Sequence, residues 1–108
     1  MKHKIKTVAV YCSHTFGLYP EFMHDADLMG ELIAKNGLNM VFGGGNVGLM
    51  GTVASAALKN GAHVTGISTE HLIALQEPVH KEIDVEIVQG VNERKQKMFE
   101  LSDAFIIL

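Results

Sequence analysis

The 108-residue sequence has one cysteine, no tryptophan, two prolines and few aromatic residues. The single cysteine, Cys12, excludes an internal disulfide, and the N-terminal segment has only a short apolar run, so we expect a reducing cytoplasm. No stretch approaches the roughly 18 apolar residues that a membrane span needs. Nine Lys and Arg against twelve Asp and Glu give a formal charge of -3, without a basic patch. This charge argues against a nucleic-acid partner.

Metal and nucleophile chemistry have little support in the sequence. The six histidines include none at a spacing typical of zinc ligands, such as H-x-x-x-H, so we expect no metal site. Cys12 could be a nucleophile at the end of a strand, but the sequence places no histidine beside it, and a buried structural thiol is favoured. No cofactor is predicted.

Alternating strand and helix patterns fill the chain. Apolar, β-branched strand patterns cover residues 5–12, 38–42, 62–67, 85–89 and 104–108, and helical patterns cover 20–36, 48–60 and 92–102. The first helix has an apolar stripe of Phe22, Ala26, Met29 and Ile33, and Asn92 is the predicted N-cap of the last. Gly37 and Gly61 are predicted helix stops.

This alternation predicts an α/β fold: a Rossmann-like, doubly wound parallel sheet in three α/β/α layers. We expect residues 1–108 to form a single nucleotide-binding domain. Because Leu108 lies inside the most hydrophobic strand pattern, we also expect a chain truncated on its C-terminal side.

Glycines cluster where the second strand meets the second helix. Gly43, Gly45 and Gly48 satisfy G-x-G-x-x-G, and Glu70 follows about 20 residues later, as in a dinucleotide fingerprint. Glycines let the backbone approach an anion, and a helix N-terminus favours negative charge. The motif follows the second strand and not the first, which argues against NAD. A dinucleotide, or a turn that merely packs the helix on the sheet, stays as the alternative.

Two cations begin the last helical pattern. Arg94 and Lys95 lie where the helix dipole is positive, so a bound anion would relieve an unfavourable charge. Helical spacing places Arg94 on the side of Met98 and Leu101, which should face the protein. The alternative is a solvated arginine balanced by Glu93 or Asp103.

Three segments together resemble a known family. GGGNVGLMG (43–51), ERKQKM (93–98) and SDAFIIL (102–108) are similar to the Lonely Guy family of nucleotide phosphoribohydrolases, many of whose bacterial members carry the older description possible lysine decarboxylase. The resemblance implies a homodimer that hydrolyses the N-glycosidic bond of a nucleoside 5'-monophosphate, either AMP or a cytokinin riboside monophosphate, to free base and ribose 5-phosphate. Lysine decarboxylation is not expected, because that chemistry needs a pyridoxal phosphate lysine on a larger scaffold.

The resemblance also implies the site. Arg94 matches the catalytic arginine. The implied substrate-binding residues are Ser13, Gly43, Gly44, Gly45, Gly48, Met50, Gly51, Glu77 and Lys95. The chain departs from the family at Ser13 and His14 (usually C-G-S-S with Cys12), at Ser68 and Thr69 (usually I-P), and at Asn92 (commonly His).

The family's catalytic glutamate lies in a PGGxGTxEE motif that would follow Leu108. We therefore expect the 108 residues alone to bind nucleotide weakly without turning it over. A non-catalytic nucleotide- or dinucleotide-binding module is the alternative function.

Overall fold

The computed structural model describes residues 5–11, 20–43, 48–71 and 82–107, and in these ranges strands and helices alternate. The elements in chain order are β1 (Thr7–Tyr11), α1 (Pro20–Lys35), β2 (Asn39–Phe42), α2 (Gly48–Lys59), β3 (Val64–Thr69), β4 (Asp84–Val88), α3 (Val91–Leu101) and β5 (Ala104–Ile107). The predicted elements are confirmed within these ranges. Cys12 lies outside them.

The five strands form one parallel sheet in the order β4-β3-β2-β1-β5. The chain runs outward from β1 to β4 and then returns to the other side of β1. Asp103, just before β5, connects β5 to the start of β1. Its carboxylate accepts hydrogen bonds from the backbone N–H groups of Lys6 (2.9 Å) and Thr7 (3.0 Å). The predicted doubly wound parallel sheet is confirmed.

Two hydrophobic clusters lie on opposite faces of the sheet. Met40 and Phe42 of β2 belong to the larger cluster, which includes Ala26 and Ile33 of α1 and Val53 of α2. The alternate β2 residue, Val41, points to the other face and packs with Ile67, Val88 and, from α3, Met98. Helices therefore cover both faces, as expected for three α/β/α layers.

The ends of α1 and α2 are built in the same way. Gly37 and Gly61 have positive φ angles of 68° and 99°. After α1, the Leu38 N–H donates to the Ile33 carbonyl and the Gly37 N–H to the Ala34 carbonyl, and the equivalent bonds follow α2. These are the paired bonds of a Schellman motif, which satisfies the last helical carbonyls. The predicted glycine stops are confirmed.

Two local predictions are wrong. Asn92 is not an N-cap: α3 begins at Val91 after Gly90, and the Glu93 carboxylate accepts a hydrogen bond from the Gln89 N–H at 3.0 Å. Glu93 thus satisfies backbone at the helix start, so an Asn cap two residues later is not needed. Phe22 is 42% exposed, because the buried face of α1 consists of Ala26, Gly30 and Ile33.

Gly30 allows α1 and α2 to approach closely. A Cβ atom at Gly30 would lie 2.6 Å from the Ala56 Cβ and 2.8 Å from the Ala57 nitrogen, and closer still to the Val53 carbonyl oxygen. Gly30 therefore lies where the two helices are in closest contact. Within the described part of the chain, no helix is long and apolar enough to span a membrane.

Candidate functional site

The candidate site lies at the carboxyl ends of the strands. Because all five strands are parallel, these ends meet at one edge of the sheet, where open α/β folds bind their ligands. Helix α2 begins shortly after β2, and α3 begins shortly after β4. Two helix N-termini are therefore directed to the same edge, and the first N–H groups of a helix have no partner within the helix itself.

Arg94 joins three elements at this edge. It is the only arginine in the sequence, and it is the fourth residue of α3. Its Nε donates a hydrogen bond to the Ile67 carbonyl of β3 at 2.8 Å, and its Nη2 donates to the Gly43 carbonyl, after β2, at 2.6 Å. Two bonds from one planar guanidinium fix both its position and its orientation.

Gly43 lies directly against this guanidinium. A Cβ atom built at Gly43 would collide with the Arg94 Nη2 and lie 3.2 Å from Cζ, whereas the Met50 Cε would be an ordinary 3.8 Å away. The Arg94 side chain therefore occupies the space that a larger residue at position 43 would need. Positions 43 and 94 are 51 apart in sequence number, so no local sequence pattern predicts this contact.

The charge of Arg94 is half-buried. Burial lowers the pKa of Arg94, and the electrostatic effect of Tyr11 acts in the opposite direction. An arginine stays protonated at neutral pH despite such a decrease, since its ordinary pKa lies far above neutrality. The site therefore contains a fixed cation that is partly removed from water, and an anionic ligand would be favoured there.

The alternative of a solvated, carboxylate-balanced Arg94 is wrong. Its hydrogen bonds go to backbone carbonyls. Glu93 accepts a bond from the Gln89 N–H, and Asp103 accepts bonds from the start of β1. On the predicted inward side of α3, Met98 is buried, as expected, but Leu101 is 40% exposed. The prediction that this side of α3 faces the protein is thus confirmed for Arg94 and Met98 but not for Leu101.

A cavity of about 400 Å³ opens beside the start of α3. Residues 69–71 and 87–91, at the ends of β3 and β4, line it. Glu70, the acidic residue of the dinucleotide interpretation, is exposed at its wall. Among the described residues, no group of three or more His, Cys, Asp or Glu is arranged to hold a metal ion.

The other predicted site residues fall into two groups. Gly48, Met50 and Gly51 lie in the first turn of α2, Met50 being partly buried against the larger cluster, and Lys95 is exposed on α3. Ser13, Gly44, Gly45 and Glu77 lie outside the described residues. The structure thus brings together Gly43, Met50 and Arg94.

Sequence reasoning missed one participant, the Ile67 carbonyl, which accepts a hydrogen bond from Arg94. A backbone carbonyl gives no signal in the residue type.

Comparisons with known proteins agree on one family. The family model described as "Possible lysine decarboxylase" matches residues 50–108, more than half of the chain. A "Cytokinin riboside 5'-monophosphate phosphoribohydrolase" of Rhodococcoides fascians is 40% identical over 95% of this chain and 52% of the relative. A protein of the same name from Mycobacterium marinum is 36% identical over 94% of this chain and 54% of the relative. The chain thus spans about half the length of the curated relatives it matches.

Solved structures share the fold. The molybdenum cofactor binding protein of Rippkaea orientalis has a TM-score of 0.73 and 26% identity, over 98% of this chain and 63% of that one. The Moco carrier protein of Chlamydomonas reinhardtii has a TM-score of 0.74 over 96% of this chain and 62% of that one. At 18% identity, the second similarity concerns the fold alone.

Proposed function

The chain belongs to the family described as possible lysine decarboxylase, and from this membership we propose that the protein hydrolyses the N-glycosidic bond of a nucleoside 5'-monophosphate. The substrate is AMP or a cytokinin riboside monophosphate, and the products are the free base and ribose 5-phosphate. The observation that carries the proposal is the fixed, half-buried Arg94 at the carboxyl edge of the sheet, close to the first turn of α2. The curated relatives described above are named as hydrolases, so catalysis is preferred to a non-catalytic nucleotide- or dinucleotide-binding module.

Arg94 is the catalytic arginine in this proposal. Its Nε and one Nη2 hydrogen bind the two carbonyls, which leaves Nη1 and the second Nη2 hydrogen outside those bonds. These donors can hold ribose or phosphate oxygens in two directions and offset negative charge that develops as the bond breaks. Because the guanidinium is already oriented, little reorganisation is needed during the reaction.

The phosphate is bound at the N-terminus of α2 in this proposal. Gly44, Gly45, Gly48 and Gly51 let the backbone approach the phosphate, with Met50 behind them, and Gly43 lies beside Arg94. Ser13, Glu77 and Lys95 complete the substrate-binding set. The support is the position of α2 directly after β2, where backbone N–H groups and the helix dipole favour an anion. Glycosidic cleavage also needs a carboxylate, which we assign to the family's PGGxGTxEE motif.

The wider assignments are also proposals. Residues 1–108 form one nucleotide-binding domain, the protein acts as a homodimer, and it works without a cofactor in the cytoplasm. A surface of exposed apolar side chains supports the homodimer: Tyr11, Phe99, Phe105 and Ile107, here called the aromatic surface. The single cysteine supports a reducing compartment.

Release of free adenine from AMP by the full natural chain tests the function. Arg94→Ala should lower kcat about 100-fold or more, because the contact acts mainly in the transition state. Arg94→Lys should restore little of that loss, since the ammonium group of lysine cannot make the bidentate contact of a guanidinium.

Lys97→Met is the matched control. Lys97 is also a cation on α3, but it pairs with Glu86 at 3.6 Å, so its removal should leave the rate within about twofold. An Arg94→Ala protein with unchanged turnover would overturn the role of Arg94. The absence of adenine release from the full chain, with AMP and with cytokinin riboside monophosphate, would overturn the function.

A further inference from the structure

We propose that Gly43 is a positioning residue for Arg94: position 43 must lack a side chain so that the guanidinium can reach the carbonyls of Gly43 and Ile67. This inference deepens the proposed function and rests on it. It also changes the role given to Gly43 by the sequence pattern, in which the glycine admits a phosphate.

Space, and not backbone conformation, is what requires glycine here. Among the described residues, the glycines with positive φ are Gly37 and Gly61, so Gly43 has a backbone conformation open to other residues. A Cβ at Gly43 would nevertheless collide with Nη2 of Arg94 and come within 3.2 Å of its Cζ. The next neighbour, the Met50 Cε at 3.8 Å, would be in ordinary contact. The conflict is therefore with Arg94 specifically.

Any movement of the guanidinium away from such a Cβ atom disturbs its two hydrogen bonds. It is held at 2.8 Å by the Ile67 carbonyl and at 2.6 Å by the Gly43 carbonyl itself. A methyl group at position 43 displaces the Arg94 Nη2 from the Gly43 carbonyl. Because the guanidinium is planar, its Nε must then tilt away from the Ile67 carbonyl as well. The charge stays in the site, but its remaining N–H groups point elsewhere.

The consequence for catalysis is specific. Displacement by about 1 Å of a group that must be aligned in the transition state can cost up to roughly 100-fold in rate. Gly43→Ala should therefore lower kcat for AMP by about 10- to 100-fold and change KM by less than about threefold. If Gly43 instead admitted the phosphate, the added methyl would mainly weaken binding and raise KM.

A double-mutant cycle tests the inference in the full natural chain, with Gly43→Ala, Arg94→Ala and the pair. If Gly43 acts through Arg94, the substitution has no further effect once the guanidinium is gone, so Arg94→Ala and the double variant should share one kcat within about twofold. An equal loss of rate from Gly43→Ala in both backgrounds would overturn the inference. So would a rise in KM that persists without Arg94.

Thermal unfolding of the same four proteins provides a readout that does not depend on activity. Gly43→Ala should lower Tm when Arg94 is present. When Arg94 is absent, it should leave Tm unchanged or raise it, because alanine is then accommodated and the unfolded chain has less conformational entropy to lose than with glycine. If no variant, nor the parent, hydrolyses AMP but this coupling in Tm is found, the proposed function fails while the contact stands. Equal Tm changes in both backgrounds overturn the inference itself.

Discussion

Arg94 shows how one side chain can serve structure and chemistry at once. Its two bonds connect α3 to β3 and to the end of β2, and they partly offset the cost of removing a charge from water. The sequence predicted that Arg94 faces the protein, because it shares a helical side with Met98. It could not show that the partners are carbonyls, since any residue at position 67 supplies one.

Glu31 offers a residue-scale test of the electrostatics. Lys35, one turn later on α1, lies 2.7 Å from the Glu31 carboxylate, and this hydrogen bond and the charge of Lys35 hold the pKa of Glu31 below its ordinary value. A lowered pKa in the folded state stabilises the fold above the ordinary glutamate pKa, and this contribution is lost as pH falls through the folded-state pKa. Lys35→Met should raise the pKa of Glu31 towards its ordinary value.

Carbon-13 NMR of the Glu31 carboxyl group during an acid titration measures this change. Lys59→Met, which removes the corresponding lysine from the last turn of α2, is the control and should leave the Glu31 titration where it was. An identical Glu31 pKa in the parent and in Lys35→Met would show that the ion pair does not persist in solution.

The contact between α1 and α2 depends on the missing side chain of Gly30. Gly30→Ala should destabilise the protein by about 1–2 kcal/mol, because overpacking against backbone atoms outweighs the better helix propensity of alanine. The neighbouring atoms are the Ala56 Cβ at 2.6 Å and the Ala57 nitrogen at 2.8 Å, and the latter belongs to a rigid helix backbone. Urea unfolding measures the difference.

Ser55→Ala is the control for that experiment, since Ser55 lies on the exposed side of α2. It should leave the free energy of unfolding the same or slightly higher. A Gly30→Ala protein as stable as the parent would mean that the two helices separate easily, contrary to the close packing described here.

Among the helices and strands, the sequence predicted those ends that depend on the local residue type. Gly37 and Gly61 marked two helix ends, because few other residues adopt a positive φ. The start of α3 was less predictable, since the N-cap Gly90 has no side chain and the Glu93 carboxylate accepts a hydrogen bond from the Gln89 N–H, just before the helix. Phe22 lies in the first turn of α1, before the first buried residue, Ala26, and the helical period alone does not show where along a helix burial begins.

The whole molecule presents an apolar surface on the α3 side of the sheet. Phe99 and Phe105 stack with ring centroids 5.6 Å apart, Tyr11 lies 6.0 Å from Phe105, and Ile107 is 82% exposed. Contiguous exposed apolar side chains favour association. We therefore predict that the 11.8 kDa chain sediments as a dimer at tens of micromolar, and that Phe99→Lys shifts it towards the monomer.

Leu32→Lys provides the comparison, because Leu32 is 43% exposed on α1, which packs on the opposite face of the sheet. This variant should sediment like the parent. A parent protein that is monomeric throughout this range, or two variants that dissociate equally, would contradict association through the aromatic surface.

The position of β1 between β2 and β5 has a consequence for the order of folding. Thr7 pairs with Asn39 in β2, whereas Val8 pairs with Ala104 in β5, so the second pairing closes a loop three times as long. Loop-closure entropy then disfavours the β1–β5 pairing by about 1 kcal/mol relative to the first. Strand β1, an interior strand of the finished sheet, is thus an edge strand until β5 pairs with it. Its backbone groups on that side stay open to water, and to neighbouring chains, until the last strand arrives.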